Sequence, residues 1–196
     1  MGNKVVGANV NTVTMARNIL DVYGIVGDNT AQWYELRNLE ISEVCYQQNI
    51  PLDVGCAVFA VLSPSLRWER NFSEGKRLIS DHNEGIMRNY TAYGQNVLKA
   101  WRILDGEGIL SVLGGNKVIS FYHNLMLVSK MVTVDRHAIN IALNGMNSGI
   151  SGSYTTTAKS YELFVSSYVL AASYTSLLPY QLQAAVWSFC ADKTGF

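Results

Sequence analysis

Residues 54–63 read VGCAVFAVLS and contain no charged side chain. A segment that is apolar on every side has to be covered on every side, so it belongs in the centre of a folded core. A central buried helix fits this run, and a buried parallel strand is the alternative. Ser63-Pro64-Ser65 ends the segment in either case. We therefore expect the other elements of the chain to pack around residues 54–63.

Apolar residues recur at helical intervals along most of the remaining chain. Charged residues make up only 15% of the sequence, which argues against disorder, and only three prolines interrupt the helical patterns. We predict an all-α fold of about eight to ten helices. A Gly/Ser/Thr-rich stretch at 144–157 predicts a long loop. Besides the central segment, the predicted helices cover 10–23, 31–49, 68–80, 93–105, 108–113, 117–128, 136–143, 158–175 and 180–191.

Composition excludes several classes of protein. Fifteen basic and fifteen acidic residues cancel, so no global charge draws the chain to nucleic acid or to a membrane. No apolar run approaches the roughly 18–20 residues of a membrane span, and the N-terminus lacks a hydrophobic signal core, so we expect a cytoplasmic protein. Cys45, Cys56 and Cys190 are scattered and match no metal-site spacing, which indicates buried free thiols.

Charge is unevenly distributed along the chain. Residues 1–59 hold three basic and six acidic side chains, whereas residues 60–140 hold ten basic and seven acidic ones. A middle segment with a mild positive charge predicts one wall of a groove that faces an anion. The alternative interpretation is a set of solvated helix faces.

The stretch 113–143 is the most informative for function. Gly114-Gly115-Asn116 separates two helical segments, and the glycines let a tight turn reach positive φ with its backbone amides facing outward. Lys117 follows the turn directly. Asp135 follows Lys117 by 18 residues and is placed to cap the helix predicted at 136–143.

These residues resemble the helix-hairpin-helix DNA glycosylases of the endonuclease III type, whose core reads L-P-G-V-G-x-K, a helix, and then V-D-x-H. The matching segments are Gly115-Asn116-Lys117 and Val134-Asp135-Arg136-His137, at the spacing of that family. Upstream, residues 57–71 resemble the family's apolar helix that ends in L-S-x-Q, and residues 93–104 resemble its K-A-x-N-I segment. The resemblance covers about residues 55–145.

The resemblance implies a two-lobed, all-α glycosylase-like fold in which residues 1–196 form a single unit. Residues 55–145 are expected to form the helical core with the hairpin, while residues 1–54 and 146–196 pack together as the second lobe. The chain also departs from the family. Ser65 stands where the family has glutamine, the hairpin keeps one family glycine, and the four-cysteine iron–sulfur motif is missing.

The resemblance assigns the chemistry to two residues. Asp135 would stabilise the cation-like sugar that forms as the N-glycosidic bond breaks, or orient the attacking nucleophile, although aspartate is also a common helix cap. Lys117 would attack C1′ and allow β-elimination of the strand, provided that burial in an apolar pocket lowers its pKa. The alternative is a lysine that binds phosphate, with water as the nucleophile. Both side chains are expected to face one cleft.

DNA contacts follow from the same resemblance. The target nucleotide has to leave the stack, so a wedge fills the hole and a pocket holds the flipped base. The wedge is predicted at Ser65-Leu66-Arg67, with an ordinary loop as the alternative. Further DNA contacts are predicted at Gly114, Gly115, Asn116 and Arg136. The predicted base pocket consists of Trp33, Trp68, Gln183 and Trp187, with core packing as the alternative for the tryptophans and surface placement for Gln183. We expect His123 and His137 to be packing histidines.

The sequence therefore predicts a monomeric DNA N-glycosylase. It is expected to flip and excise a modified or damaged base from double-stranded DNA and to leave an abasic site. No cofactor, metal, membrane or protein partner is predicted. The departures from the family favour a phage-modified base, with antiviral defence as the setting. The alternatives are a standard oxidised-base repair glycosylase with lyase activity, a base-hypermodification enzyme on the same scaffold, and a non-catalytic DNA-binding module.

Overall fold

A computed structural model describes residues 4–6, 11–128, 130–145 and 154–194. This part of the chain forms ten α-helices and two three-residue strands. The helices are α1 (Thr12–Val26), α2 (Trp33–Gln48), α3 (Leu52–Leu62), α4 (Trp68–Asn83), α5 (Gly94–Leu104), α6 (Ile109–Val112), α7 (Asn116–Leu125), α8 (Arg136–Asn144), α9 (Ala158–Ala172) and α10 (Pro179–Thr194). The strands are β1 (Lys4–Val6) and β2 (Tyr154–Thr156), which pair in parallel with Lys4 opposite Tyr154.

The all-α prediction is confirmed for the described residues, and each predicted helix is present. The predicted loop at 144–157 lies mostly outside these residues, but its end forms β2 because residues 154–156 pair with β1. A strand of three residues is too short to show an alternating pattern, so the sequence does not reveal that these distant segments pair. None of the described helices combines the length and apolar character that a bilayer crossing requires.

The chain divides into two compact units, and the division falls inside α2. The first unit contains Met1–Tyr34 and Val128–Phe196, and the second contains Glu35–Leu127. The glycosylase-like organisation, with a core at 55–145 and a second lobe from 1–54 and 146–196, stays a prediction.

The first unit is built on α1, which packs against α8, α9 and α10. Asn11 starts α1 as its N-cap, because its Oδ1 accepts hydrogen bonds from the amides of Val13 and Thr14 at 2.9 and 3.1 Å. Ile19 of α1 and Phe164 of α9 are fully buried in the shared core. Burying a side chain of this size contributes roughly 1.5–3 kcal/mol, so this packing holds the four helices together.

The second unit is built on α3, which packs against α4, α5 and α7. All residues from Gly55 to Leu62 are buried, so the predicted central helix is confirmed and the strand alternative is wrong. A side-chain carbon at Gly75 of α4 would collide with the ring of Phe59, which shows how closely α3 and α4 approach. Cys45 and Cys56 are buried free thiols in this unit, as Cys190 is in the first.

Two buried carboxylates of α4 hold the segment that follows the helix. The helix predicted at 68–80 is longer in the structure, because α4 continues to Asn83 and Asp81 is a buried helical residue. Asp81 accepts hydrogen bonds from Arg88 Nε at 2.9 Å and from the Tyr90 hydroxyl at 2.7 Å. Glu74 accepts one from the amide of Thr91 at 2.8 Å.

Asp81 gives the second unit a pH-dependent stability. Burial alone raises the pKa of Asp81, but the hydrogen bonds from Tyr90 and Arg88 outweigh burial and hold the pKa below its usual value of 3.8. A carboxyl whose pKa is lower in the folded than in the unfolded chain stabilises the fold above its unfolded pKa. That contribution disappears as the pH falls through the folded pKa.

We expect Asp81→Asn to lower the free energy of unfolding at pH 7 by about 1–3 kcal/mol, because buried hydrogen bonds to a charged acceptor are lost. The difference from the wild type should shrink as the pH falls through the folded pKa of Asp81, which lies below 3.8. Urea unfolding at pH 7 and at pH 3 measures both values. Asp21→Asn, at an exposed position, is the control. Equal stability of Asp81→Asn and the wild type at pH 7 would contradict this expectation.

Candidate functional site

Asp135 stands directly before α8 and caps its N-terminus, as the sequence predicted. Its backbone is extended, and its Oδ1 accepts hydrogen bonds from the amides of His137 and Ala138, each at 2.9 Å. These two bonds satisfy donors that have no partner within the helix. Both bonds end on Oδ1, so capping explains the contacts of this oxygen but not those of Oδ2.

The second oxygen of Asp135 has its own donor. The indole Nε1 of Trp187, in α10, donates a hydrogen bond to Oδ2 at 3.1 Å. An ionised carboxylate offers about four acceptor positions, so three N–H donors leave one of them, on Oδ2. The half-buried side chain is thus held at both oxygens and retains the capacity for one further partner.

Two tyrosines of α9 fix the backbone on either side of this cap. The hydroxyl of Tyr161 accepts a hydrogen bond from the amide of Val134 at 3.1 Å and donates one to the carbonyl oxygen of Val132 at 3.2 Å. The hydroxyl of Tyr168 donates to the carbonyl oxygen of Ala138, within α8, at 3.1 Å. Both tyrosines are buried, so the short extended segment and the start of α8 are anchored in the core of the first unit.

A buried polar pair lies close to the same segment. The Tyr34 hydroxyl donates to Oε1 of Gln183 at 2.8 Å and is hydrogen-bonded by Thr133. Burial raises the pKa of Tyr34 above its usual value of 10, and the negative charge of Asp135 raises it further. Tyr34 therefore stays a neutral phenol at physiological pH. Gln183 is buried, so the alternative of a surface placement is wrong.

The two residues after Asp135 are the exposed Arg136 and the buried His137, and they contact each other. His137 is buried, and its ring meets the Trp187 ring edge to face, with centroids 5.6 Å apart. Arg136 is exposed, and its Nε donates to His137 Nε2 at 3.3 Å. The expectation of a packing histidine that forms a hydrogen bond is confirmed for His137.

The predicted glycine turn joins α6 to α7 in the second unit. Gly115 adopts φ +77°, a conformation that strains any residue with a side-chain carbon, and it immediately precedes α7. Gly114, Gly115 and Asn116 are exposed. A helical hairpin with an exposed glycine turn is therefore present, while its contact with a DNA phosphate stays a prediction.

Lys117 is exposed in the first turn of α7. The burial expected for Lys117 is therefore not found, and its role as a nucleophile stays a prediction. The buried side of the helix is formed further along, by residues such as Tyr122 and Leu125. Lys117 and Asp135 belong to different units, so a common cleft for the two side chains stays a prediction.

A second lysine approaches the glycine turn. Nζ of Lys99, in α5, lies 3.4 Å from the position that a Cβ of Gly114 would occupy. Across the described ranges, neither Lys99 nor Lys117 forms an ion pair with a carboxylate. The position of Lys99 could not be predicted from the sequence, because nothing in the local pattern relates α5 to a turn that lies 15 residues later.

The predicted wedge lies in the turn between α3 and α4. Ser65 adopts φ +67°, which is uncommon for a residue other than glycine, and its Oγ is hydrogen-bonded to the Tyr93 hydroxyl at 2.9 Å. Ser65 and Arg67 are exposed, and Leu66 is half-buried. Strained backbone is common at functional sites, but the role of this turn as a wedge stays a prediction.

A family model described as Family of unknown function (DUF7178) matches residues 3–194. The chain belongs to this family. No curated protein and no solved structure matches the chain. Because the DUF7178 family has no assigned function, functional inference depends on the chemistry of the residues described above.

The predicted base-pocket residues are divided between the units of this DUF7178 member. Trp33, Gln183 and Trp187 lie in the first unit and Trp68 lies in the second. Trp33 contacts the Tyr34 ring edge to face at 5.1 Å. Trp68 is half-buried, and its indole donates to Oε2 of Glu40 at 2.9 Å. A pocket formed by all four residues stays a prediction.

The hydrogen bond between Trp187 and Asp135 is not evident from the sequence. The sequence predicts Trp187 as part of the base pocket, and the structure shows that it also donates a hydrogen bond to Asp135. The two residues are 52 positions apart, so only the packing of α10 beside α8 brings them together. Among the described residues, no three His, Cys, Asp or Glu side chains gather as metal ligands.

We expect Gly115→Ala to destabilise the fold by about 1 kcal/mol more than Gly114→Ala, because only position 115 requires positive φ. Urea unfolding of both variants measures the difference. Gly114→Ala is the matched control, since its new Cβ meets only the flexible end of Lys99. Equal effects of the two substitutions would show that the turn does not constrain the backbone as described.

Proposed function

We propose that the protein is a DNA N-glycosylase that excises a modified or damaged base from double-stranded DNA and leaves an abasic site. The observation that carries this proposal is Asp135, a half-buried carboxylate held at both oxygens and able to accept one more partner. Its position in the V-D-x-H segment, 18 residues after Lys117, supports the same conclusion.

The proposed reaction needs a fixed negative charge. As the glycosidic bond breaks, the base leaves with the bonding electron pair and positive charge develops at C1′ of the sugar. A carboxylate that is already oriented stabilises this charge without reorganising during the reaction. Water then adds its oxygen to C1′ and releases a proton, which the departing base takes up, so the products are the free neutral base and an abasic site. In this scheme Asp135 faces the sugar and orients the water.

The exposure of Lys117 supports water as the nucleophile. A lysine attacks C1′ only as the neutral amine, and burial in an apolar pocket is what favours this form. Lys117 is exposed and lacks such a pocket. We therefore propose a monofunctional glycosylase. Lys117 and Lys99 instead neutralise phosphate charge beside the turn formed by Gly114, Gly115 and Asn116.

The remaining assignments are parts of the same proposal. Ser65, Leu66 and Arg67 would fill the space left by the extruded nucleotide, and Arg136 would contact the backbone near Asp135. The reduced hairpin and the serine at position 65 favour a substrate other than a common lesion, so we propose a phage-modified base. We further propose that the protein acts as a cytoplasmic monomer in defence against phages.

We expect Asp135→Asn to lower the rate of base excision by at least about 100-fold, which is typical of removing one electrostatic contact to a transition state. Asparagine is as good a helix cap as aspartate, so the fold and the affinity for DNA should be retained. The assay incubates the protein with modified phage DNA and with duplexes that contain 8-oxoguanine or thymine glycol. Alkali then converts each abasic site into a strand break.

Asp21→Asn, at an exposed position of α1, is the matched control and should cleave like the wild type. The absence of strand breaks in every DNA would reject glycosylase activity on those bases. Equal rates for Asp135→Asn and the wild type would reject the catalytic role of Asp135.

Borohydride trapping tests the role of Lys117 separately. A monofunctional enzyme forms no Schiff base, so we expect no covalent adduct with DNA after reduction. Lys117→Gln should keep the excision rate at saturating protein but weaken DNA binding, and the slope of log affinity against log salt should fall by about 1. A borohydride-trapped adduct that disappears in Lys117→Gln would instead show that Lys117 is the nucleophile.

A further inference from the structure

We propose that Trp187 is a positioning residue for the reaction: its indole N–H fixes Oδ2 of Asp135 and directs the remaining acceptor position of that oxygen to the sugar. This inference rests on the proposed glycosylase function. The sequence pattern offered Trp187 only as a wall of the base pocket. The hydrogen bond of 3.1 Å from the indole N–H to Oδ2 indicates that Trp187 orients the carboxylate.

Helix capping does not require this hydrogen bond. The amides of His137 and Ala138 both bind Oδ1, so the cap is complete with one oxygen. With Oδ1 alone bound, Oδ2 would bind water, and the plane of the carboxylate could turn about the Cβ–Cγ bond. The indole N–H removes this freedom, and a fixed orientation is what a group aimed at a developing charge needs.

The donor is itself rigidly placed. Leu182, Val186 and Cys190 of α10 are fully buried in the core of the first unit, and they anchor the helix before and after Trp187. The buried ring of His137 packs against one side of the indole, with the ring planes at 82°. The indole nitrogen is therefore positioned by a packed helix and not by a mobile loop.

A neutral donor suits this task better than a charged one. An arginine or lysine beside Asp135 would also orient the carboxylate, but its charge would offset the negative charge that the sugar cation requires. An indole N–H orients the oxygen and adds no net charge. The pair Trp187–Asp135 thus combines a fixed geometry with a donor that carries no charge of its own.

The test uses two duplexes that differ only in the charge of an abasic-site analogue. One carries a pyrrolidine nucleotide, which is protonated at neutral pH and mimics the sugar cation, and the other carries a neutral tetrahydrofuran nucleotide. Tight binding of a transition-state mimic reports the interaction that accelerates the reaction. The ratio of the two Kd values measures how well the protein stabilises the cation, without knowledge of the natural base.

Trp187 is replaced by 3-benzothienylalanine, in which sulfur takes the place of the indole N–H and the shape of the ring is kept. We expect the wild type to prefer the pyrrolidine duplex and the variant to lose this preference by about tenfold or more, as expected when one oriented contact is lost. The Kd for the tetrahydrofuran duplex should change by less than about twofold. Replacement by 7-azatryptophan, which keeps the N–H, should restore the preference.

Trp187→Phe also lacks the N–H donor and should lose the preference for the pyrrolidine duplex as well. Thermal unfolding shows whether each variant is folded. The same benzothienylalanine replacement at Trp101, in the second unit, is the control and should leave both Kd values unchanged. A wild type without preference for the pyrrolidine duplex would overturn the proposed function, and the inference with it. A preference that survives both replacements at position 187 would overturn the inference alone.

Discussion

The N-terminus of α8 is the point on which the candidate site depends. A helix start leaves amide groups without partners, and here the Asp135 carboxylate satisfies two of them. Tyr161 and Tyr168 bind the backbone before and after the cap. Trp187 donates a hydrogen bond to Oδ2, the carboxylate oxygen that does not take part in capping. Because the carboxylate is held by the first turn of α8 and by Trp187 of α10, its position is determined by the core of the first unit. A carboxylate so placed can act on a charge that develops beside it.

The features that the sequence predicted are those with a local cause. The buried helix α3 follows from its continuous apolar run, the positive φ of Gly115 from the glycine pair, and the Asp135 cap from an aspartate placed before an apolar helical pattern. Local patterns also led to one error. The helix predicted at 68–80 ends too early, because Asp81 is a buried helical residue whose partners, Arg88 and Tyr90, lie beyond the helix.

The features that the sequence could not predict depend on long-range packing. The Trp187 hydrogen bond joins α10 to the start of α8, and Lys99 reaches the glycine turn from α5. The exposure of Lys117 has the same origin, because the packing of α7 decides which of its residues are covered. This last difference changes the chemistry, since an exposed lysine fits a phosphate contact better than a nucleophile. The carboxylate thereby becomes the centre of the proposed mechanism.

The most direct test of that mechanism is to identify what the protein releases from DNA. The wild type and Asp135→Asn are incubated with hypermodified phage DNA, and mass spectrometry then measures free bases in the supernatant and nucleosides in the digested DNA. A glycosylase releases free base in amounts equal to the abasic sites that remain, and Asp135→Asn releases almost none. Altered nucleosides without free base would contradict base excision and indicate a hypermodification enzyme instead.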